Sequence, residues 1–225
     1  GVIMSEMERL QYVLFERFHR RAPGIDKLDR LWDAAVLLPL VRTEEGICVL
    51  FEERAHTLRR QPGEICFPGG KYECSDNGFR TTAVRETCEE LGLQPQDITV
   101  CGELDCLVTH NGPIIHPFVG MIDDISKITY SKDEVECVFT VPLKELLAQE
   151  PERGSVQLAD RPGEDFPFEL VPQRQRSWRM NKSYYVYFYR WQDKVIWGLT
   201  ARMLYAFLYR SRKELTEFLT AEARK

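Results

Sequence analysis

The chain has 225 residues, with 30 Lys and Arg against 35 Asp and Glu for a formal net charge of −5. That length supports one sizeable core or two small domains, and 44% hydrophobic with 29% charged residues is an ordinary globular balance. The negative balance argues against broad nucleic-acid binding, which favours a basic face, and no apolar run approaches the roughly 20 residues of a membrane-spanning helix. Seven cysteines, odd in number and without metal-ligand spacing, predict reduced thiols in the cytoplasm and no zinc site.

Gly1 to Ile3 read as residues added ahead of a start at Met4, and this start lacks the basic-then-apolar order of a signal peptide. From Met4 to about Arg21, Leu10, Val13, Leu14 and Phe18 recur at helical spacing. They predict an amphipathic helix (residues 4–21) packed on the core and stopped by Ala22-Pro23-Gly24. Ala34 to Val41 suits a buried strand with Pro39 at an edge or bulge. Thr43-Glu44-Glu45-Gly46 turns the chain into a second strand, Ile47 to Phe51. Arg54, Arg59 and Arg60 follow; they are surface charges or phosphate ligands, since guanidinium groups match phosphate oxygens in a bidentate way.

Pro68 to Leu93 is the most informative stretch. Pro68, Gly69 and Gly70 suit a tight loop, Asp76-Asn77-Gly78 a second turn, and helical periodicity runs from Phe79 to a stop at Gly92. On that helix Val84, Cys88 and Leu91 share one side, while Glu86 and Glu90, with Glu89 beside them, fall on the other. Carboxylates so placed repel one another. They mark either a solvated acidic face or a site for a hard divalent cation such as Mg²⁺ or Mn²⁺.

Gly70, Arg85-Glu86, Glu89-Glu90 and Gly92-Leu93 closely resemble the Nudix box, G-x5-E-x7-R-E-U-x-E-E-x-G-U with U aliphatic. Asp76 stands where the box has its first Glu, one extra residue separates it from Arg85, and Thr87 occupies an aliphatic position. Upstream, Arg59-x3-Gly63-x3-Phe67-Pro68-Gly69-Gly70 resembles the signature that precedes the box in the coenzyme A pyrophosphatases of this superfamily. The resemblance implies an α/β (α+β) fold, a Nudix-type α/β/α sandwich with a mixed β-sheet, as a single domain over residues 1–225. It also implies Mg²⁺ or Mn²⁺ on Glu86, Glu90 and Glu89. Glu89 is alternatively the base, Arg85 orients the carboxylates, and Gly69 and Gly70 offer backbone groups. Arg54 and Arg59 would hold the substrate's phosphates, and Glu134 would be the extra acid that Nudix enzymes supply from beyond the box.

Further on, Ile98 to Val108 reads as a strand, Thr109 to Pro113 as a turn, and Ile114 to Ile122 as a strand. His110 and His116 lack partners at fixed spacing and are expected to be structural. Ser131 to Leu147 runs from acidic loop to strand to short helix, and Gln149 to Asp165 lacks periodicity and reads as a loop. Phe166 to Val171 and Tyr184 to Tyr189 look like strands, the latter with aromatics suited to sheet packing. A terminal helix covers residues 199–219, and Ala223-Arg224-Lys225 carries no recognised address. The resemblance implies coenzyme A, acyl-CoA or another nucleotide as substrate, with no nucleic-acid or membrane partner; a homodimer is left open. The rival reading is a non-catalytic nucleotide or CoA sensor.

Overall fold

The computed structural model describes residues 4–26, 32–110 and 112–224. Gly1 to Ile3, Asn111 of the expected turn and Lys225 of the terminal triplet lie outside them. The chain divides into two compact units, Gly1–Leu31 and Trp32–Lys225.

In the first unit, α1 (Glu6–Phe18) begins at a capping box: the Ser5 side chain accepts from the Glu8 N–H, and Glu8 reaches back to the Ser5 N–H. The helix is shorter than its periodic sequence. The helix itself buries no residue, Leu10 being 49% and Phe18 55% exposed.

The second unit holds the rest. Strands β1 (Asp33–Thr43), β2 (Gly46–Arg54), β3 (Ile65–Cys66) and β4 (Gly69–Lys71) lead to α2 (Phe79–Leu91). β5 (Ile98–Glu103), β6 (Leu107–Val108), β7 (Ile114–Ile122) and β8 (Val135–Pro142) follow, then α3 (Leu143–Ala148). The chain closes with β9 (Glu152–Asp160), β10 (Arg179–Trp191), β11 (Lys194–Trp197) and α4 (Gly198–Glu222). Strands β1 to β8 form one mixed sheet, with β1 and β7 parallel and its other pairings antiparallel; β9, β10 and β11 form a second.

Strand alternation divides the core between the two faces of the large sheet. Ala35, Leu37, Val41, Cys48 and Leu50 pack under α2, with Ala83 and Leu91 of that helix. Leu38, Val49 and Phe51 face the other way, onto Leu204, Phe207 and Leu208 of α4 and Tyr187 and Tyr189 of β10. The α/β/α sandwich is thus built as the resemblance implied.

Pro39 departs from expectation. It lies within β1, between partner strands, not at an edge. On one side β1 pairs with β4 through Val36 and with β2 only from Leu40 onward, and the interval where those partners splay apart accommodates a residue without an N–H. The aperiodic stretch after Gln149 is a second correction: Glu152 to Asp160 is strand β9, held to β10 by backbone pairing that needs no hydrophobic alternation. Phe166 to Val171 forms turns instead of a strand. The strand read over Ile98 to Val108 is two shorter ones, β5 and β6.

Candidate active site

Helix α2 is the base of the site. Its buried side is Ala83, Thr87 and Leu91, about one position round from the expected one, with Val84 and Cys88 only half-buried. Thr87, in the box's aliphatic position, is tolerated in the core because its hydroxyl donates to the Ala83 carbonyl at 2.7 Å. At the C-terminus Gly92 takes the left-handed conformation (φ 64°), and a Cβ there would overlap Thr129. Leu93 N–H then bonds to the Cys88 carbonyl, closing the helix.

Asp76 and Arg85 lock the loop to the helix. Arg85 Nε and Nη2 donate to the two Asp76 oxygens at 2.9 and 3.0 Å, a bidentate pair. Asp76 is 7% exposed and also accepts from the Thr82 hydroxyl and the Glu73 N–H. These donors, Arg85 first, hold its carboxyl far below the usual range, and Asp76 in turn holds Arg85 in its charged form. The residue that departs from the box therefore anchors the arginine. Arg85 Nη1 also donates to Glu86 Oε1 at 2.9 Å and weakly to Glu89, while Nη2 reaches the Lys71 carbonyl.

The three expected metal ligands are placed unequally. Glu86 lies against Gly70, where a Cβ would overlap its carboxylate. Burial raises its pKa, opposed by Arg85. Glu90 is more enclosed: its Oε2 accepts the Gly69 N–H at 2.9 Å, and burial, with Glu86 nearby, pushes it up to about 7. Glu89 is 59% exposed and turned to Arg85.

Sequence reasoning passed over Glu52. It is 1% exposed on β2, its Oε1 has no hydrogen-bond partner among the described residues, and it faces Glu90 with Arg54 and Glu134 around them. Burial, then the Glu90 charge, raises its pKa strongly. Alternation along Ile47 to Arg54 carried the signal, since Glu52 has the parity of the buried Cys48 and Leu50. Arg54 is half-buried with Nε likewise unpartnered among the described residues, whereas Arg59 is exposed on the following loop. Glu134 is exposed, and its carbonyl accepts the Ala55 N–H, tying the acidic loop to the end of β2. Cys66, opposite Glu52, is a thiol pushed up by burial and the flanking carboxylates; all seven cysteines are free.

The histidines behave differently from one another. His116 bonds Asp33 Oδ1 at 3.0 Å and stacks on Phe79, the first residue of α2, so it braces the helix start; His110 meets only the Tyr184 ring among the described residues.

A profile of the NUDIX domain matches residues 31–182. The chain belongs to the Nudix hydrolase family. An uncharacterized Nudix hydrolase NudL of Photorhabdus laumondii is 33% identical over 172 residues, 76% of this chain and 81% of that protein. The mouse peroxisomal coenzyme A diphosphatase NUDT7 is 39% identical over 109 residues, 48% of this chain and 46% of that protein. Nudix hydrolase 3 of Caenorhabditis elegans is 35% identical over 117 residues, 50% of this chain and 48% of that protein. The chain thus spans about half the length of the mouse and nematode relatives. No helix among the described residues is long and apolar enough to cross a membrane.

The Nudix carboxylates suit a hard divalent cation. The partnerless Glu52 oxygen, the oxygen-only donor set and the glycine cradle holding Glu86 against β4 all fit such an ion. Among the described residues no three acidic, His or Cys side chains converge as a chelate, and Arg85 bonds Glu86 and, weakly, Glu89.

Proposed function

We propose that this Nudix hydrolase cleaves the diphosphate bond of coenzyme A or an acyl-CoA, giving 3′,5′-ADP and (acyl-)4′-phosphopantetheine. The observation that carries the reading is the run Arg59-x3-Gly63-x3-Phe67-Pro68-Gly69-Gly70 directly ahead of the box, together with the name of the mouse relative. The reading treats residues 1–225 as one hydrolase domain. Seven free thiols favour the cytoplasm, although the mouse protein's name places it in the peroxisome.

Glu86 and Glu90 are the residues that would hold Mg²⁺ or Mn²⁺, with Glu89 available after release from Arg85. Such an ion, when bound, supplies a polarised water and neutralises charge on the diphosphate. The chain's own groups do the rest. The Gly69 N–H fixes one Glu90 oxygen and leaves the other for a ligand. Arg85, clamped by Asp76, fixes the direction of Glu86. Arg54 lies beside this cluster, close enough for its charge to act on Glu90, and presents a guanidinium to a phosphate. Arg59 sits on the exposed loop, where it can meet the 3′-phosphate that distinguishes CoA from ADP-ribose or NADH. Glu134 or Glu89 takes the proton from the attacking water.

A substrate panel of CoA, acyl-CoA, ADP-ribose, NADH and a dinucleotide, each with Mg²⁺ and Mn²⁺ and read by product mass, tests the proposal. The expected result is 3′,5′-ADP from CoA or acyl-CoA at the highest kcat/KM. Faster turnover of ADP-ribose or a dinucleotide would replace the substrate and keep the chemistry. Ligand binding without turnover across the panel would make the domain a sensor.

A further inference from the structure

On β2, Cys48, Leu50, Glu52 and Arg54 alternate onto the side that faces α2, and the first two belong to the core beneath that helix. A strand position of this kind ordinarily takes a residue like its neighbours. Glu52 instead places a carboxyl there, 1% exposed, with Oε1 unbonded among the described residues. Burying such an atom without a partner is unfavourable, and nothing in the packing requires it.

The surroundings indicate what the atom is for. Glu52 lies opposite Cys66 in the β2–β3 register, and three residues further along the same loop the Gly69 N–H pins Glu90 Oε2. This short segment thus runs beside both carboxyls and pins one of them, and the two stand within side-chain hydrogen-bonding reach of each other. Two carboxyls held this way repel when ionised. The adjacent cation, Arg54, donates no Nε hydrogen bond among the described residues.

We propose that Glu52 is a ligand of the divalent cation held by the Glu86–Glu90 face of α2, supplying a carboxylate oxygen from the strand side of the cleft. This rests on the metal-binding reading given above. Glu52 on β2 and Glu90 on α2 stand together, Glu90 held by the Gly69 N–H, and Glu86 would complete the set on rotating away from Arg85 Nη1. The box helix then contributes only part of the coordination. Further coordination of a bound Mg²⁺ would be left to water and substrate oxygens.

Mn²⁺ titration followed by the electron paramagnetic resonance of the free ion, on the full chain and on Glu52→Gln, tests this. Gln keeps the shape and can hydrogen-bond Glu90, but it is a poor metal ligand. The expected result is an affinity for Mn²⁺ at least about tenfold weaker in the variant, with a smaller Mn²⁺-induced rise in Tm. Equal affinity in the two proteins would overturn the inference and leave Glu52 as a neutral acid bonded to Glu90. If the unaltered protein binds no Mn²⁺, the metal reading itself fails. Should Glu52→Gln not fold, crystals of the unaltered protein grown with Mn²⁺ decide the matter. An anomalous peak at about 2.1 Å from a Glu52 oxygen supports the assignment, and a peak held by Glu86 and Glu90 with Glu52 out of range overturns it.

Discussion

Two charge clusters lie on the box helix, and they are finished to different degrees. Around Arg85 each oxygen of Asp76 is bonded, and the guanidinium is shared among Asp76, Glu86, Glu89 and a backbone carbonyl. Around Glu90 the groups are as buried but incomplete, with Glu52 Oε1 and Arg54 Nε unpartnered among the described residues. A saturated buried cluster stabilises the fold that contains it, whereas an unsaturated one is costly until a ligand supplies the missing contacts. The first cluster is therefore scaffold and the second is the working end. Substitutions in each should give opposite signatures.

The largest effect is expected at the working end. Glu90→Gln should lower kcat/KM by about 10²–10³-fold, the cost of removing one preorganised electrostatic group. Its Tm without metal should be equal or higher, because the amide relieves repulsion from Glu52 and Glu86. Steady-state kinetics and thermal unfolding in EDTA check the pair of outcomes. Lost stability with retained activity would reverse the assignment of the two clusters.

At the scaffold end, Asp76→Ala should cost up to about 3 kcal/mol by removing the bidentate partner of a partly buried guanidinium, which then keeps only Glu86, Glu89 and a backbone carbonyl. The sign with pH follows from the depressed carboxyl. Because the folded-state pKa of Asp76 lies below its unfolded value of about 3.9, its contribution is fully present above that value and is lost as pH falls through the folded pKa. Urea unfolding from pH 7 down to pH 3 should therefore show a steeper acid loss in the parent than in Asp76→Asn. Parallel curves would mean that Arg85 finds equivalent partners elsewhere.

Legibility in the sequence divides along the same line. The span of α2, its stop at Gly92 and the hairpin before it could be read, because periodicity and glycine placement are local signals, whereas the sandwich was legible only through the resemblance to the Nudix box. The role of Asp76 could not, because its bond to Arg85 crosses nine residues and needs the intervening turn. Glu52 was hidden for another reason. Beside Glu53 and Arg54 it resembles the polar end of a strand, and only β3 and α2 closing over it turn an ordinary surface charge into a buried one. Strand β9 was missed because its partner, β10, lies beyond an intervening run of turns, and pairing across that gap leaves little mark on composition.

Gly70→Ala should produce the smallest change and separates position from charge. The added Cβ meets the Glu86 carboxylate, the far end of a flexible side chain, and not backbone. Glu86 can therefore step aside cheaply, so the loss of stability should stay below about 1 kcal/mol. The same step removes Glu86 from its place beside Glu90 while leaving every charge in the protein intact. If the working end depends on geometry, kcat/KM should fall about tenfold, the scale on which a misplacement of about 1 Å begins to tell. Arg85 and Asp76 would remain bonded, leaving the acid limb of the stability curve unmoved. Unchanged kinetics would show that Glu86 reaches its ligand from more than one rotamer, and that Glu90 with its strand-side neighbour sets the geometry alone.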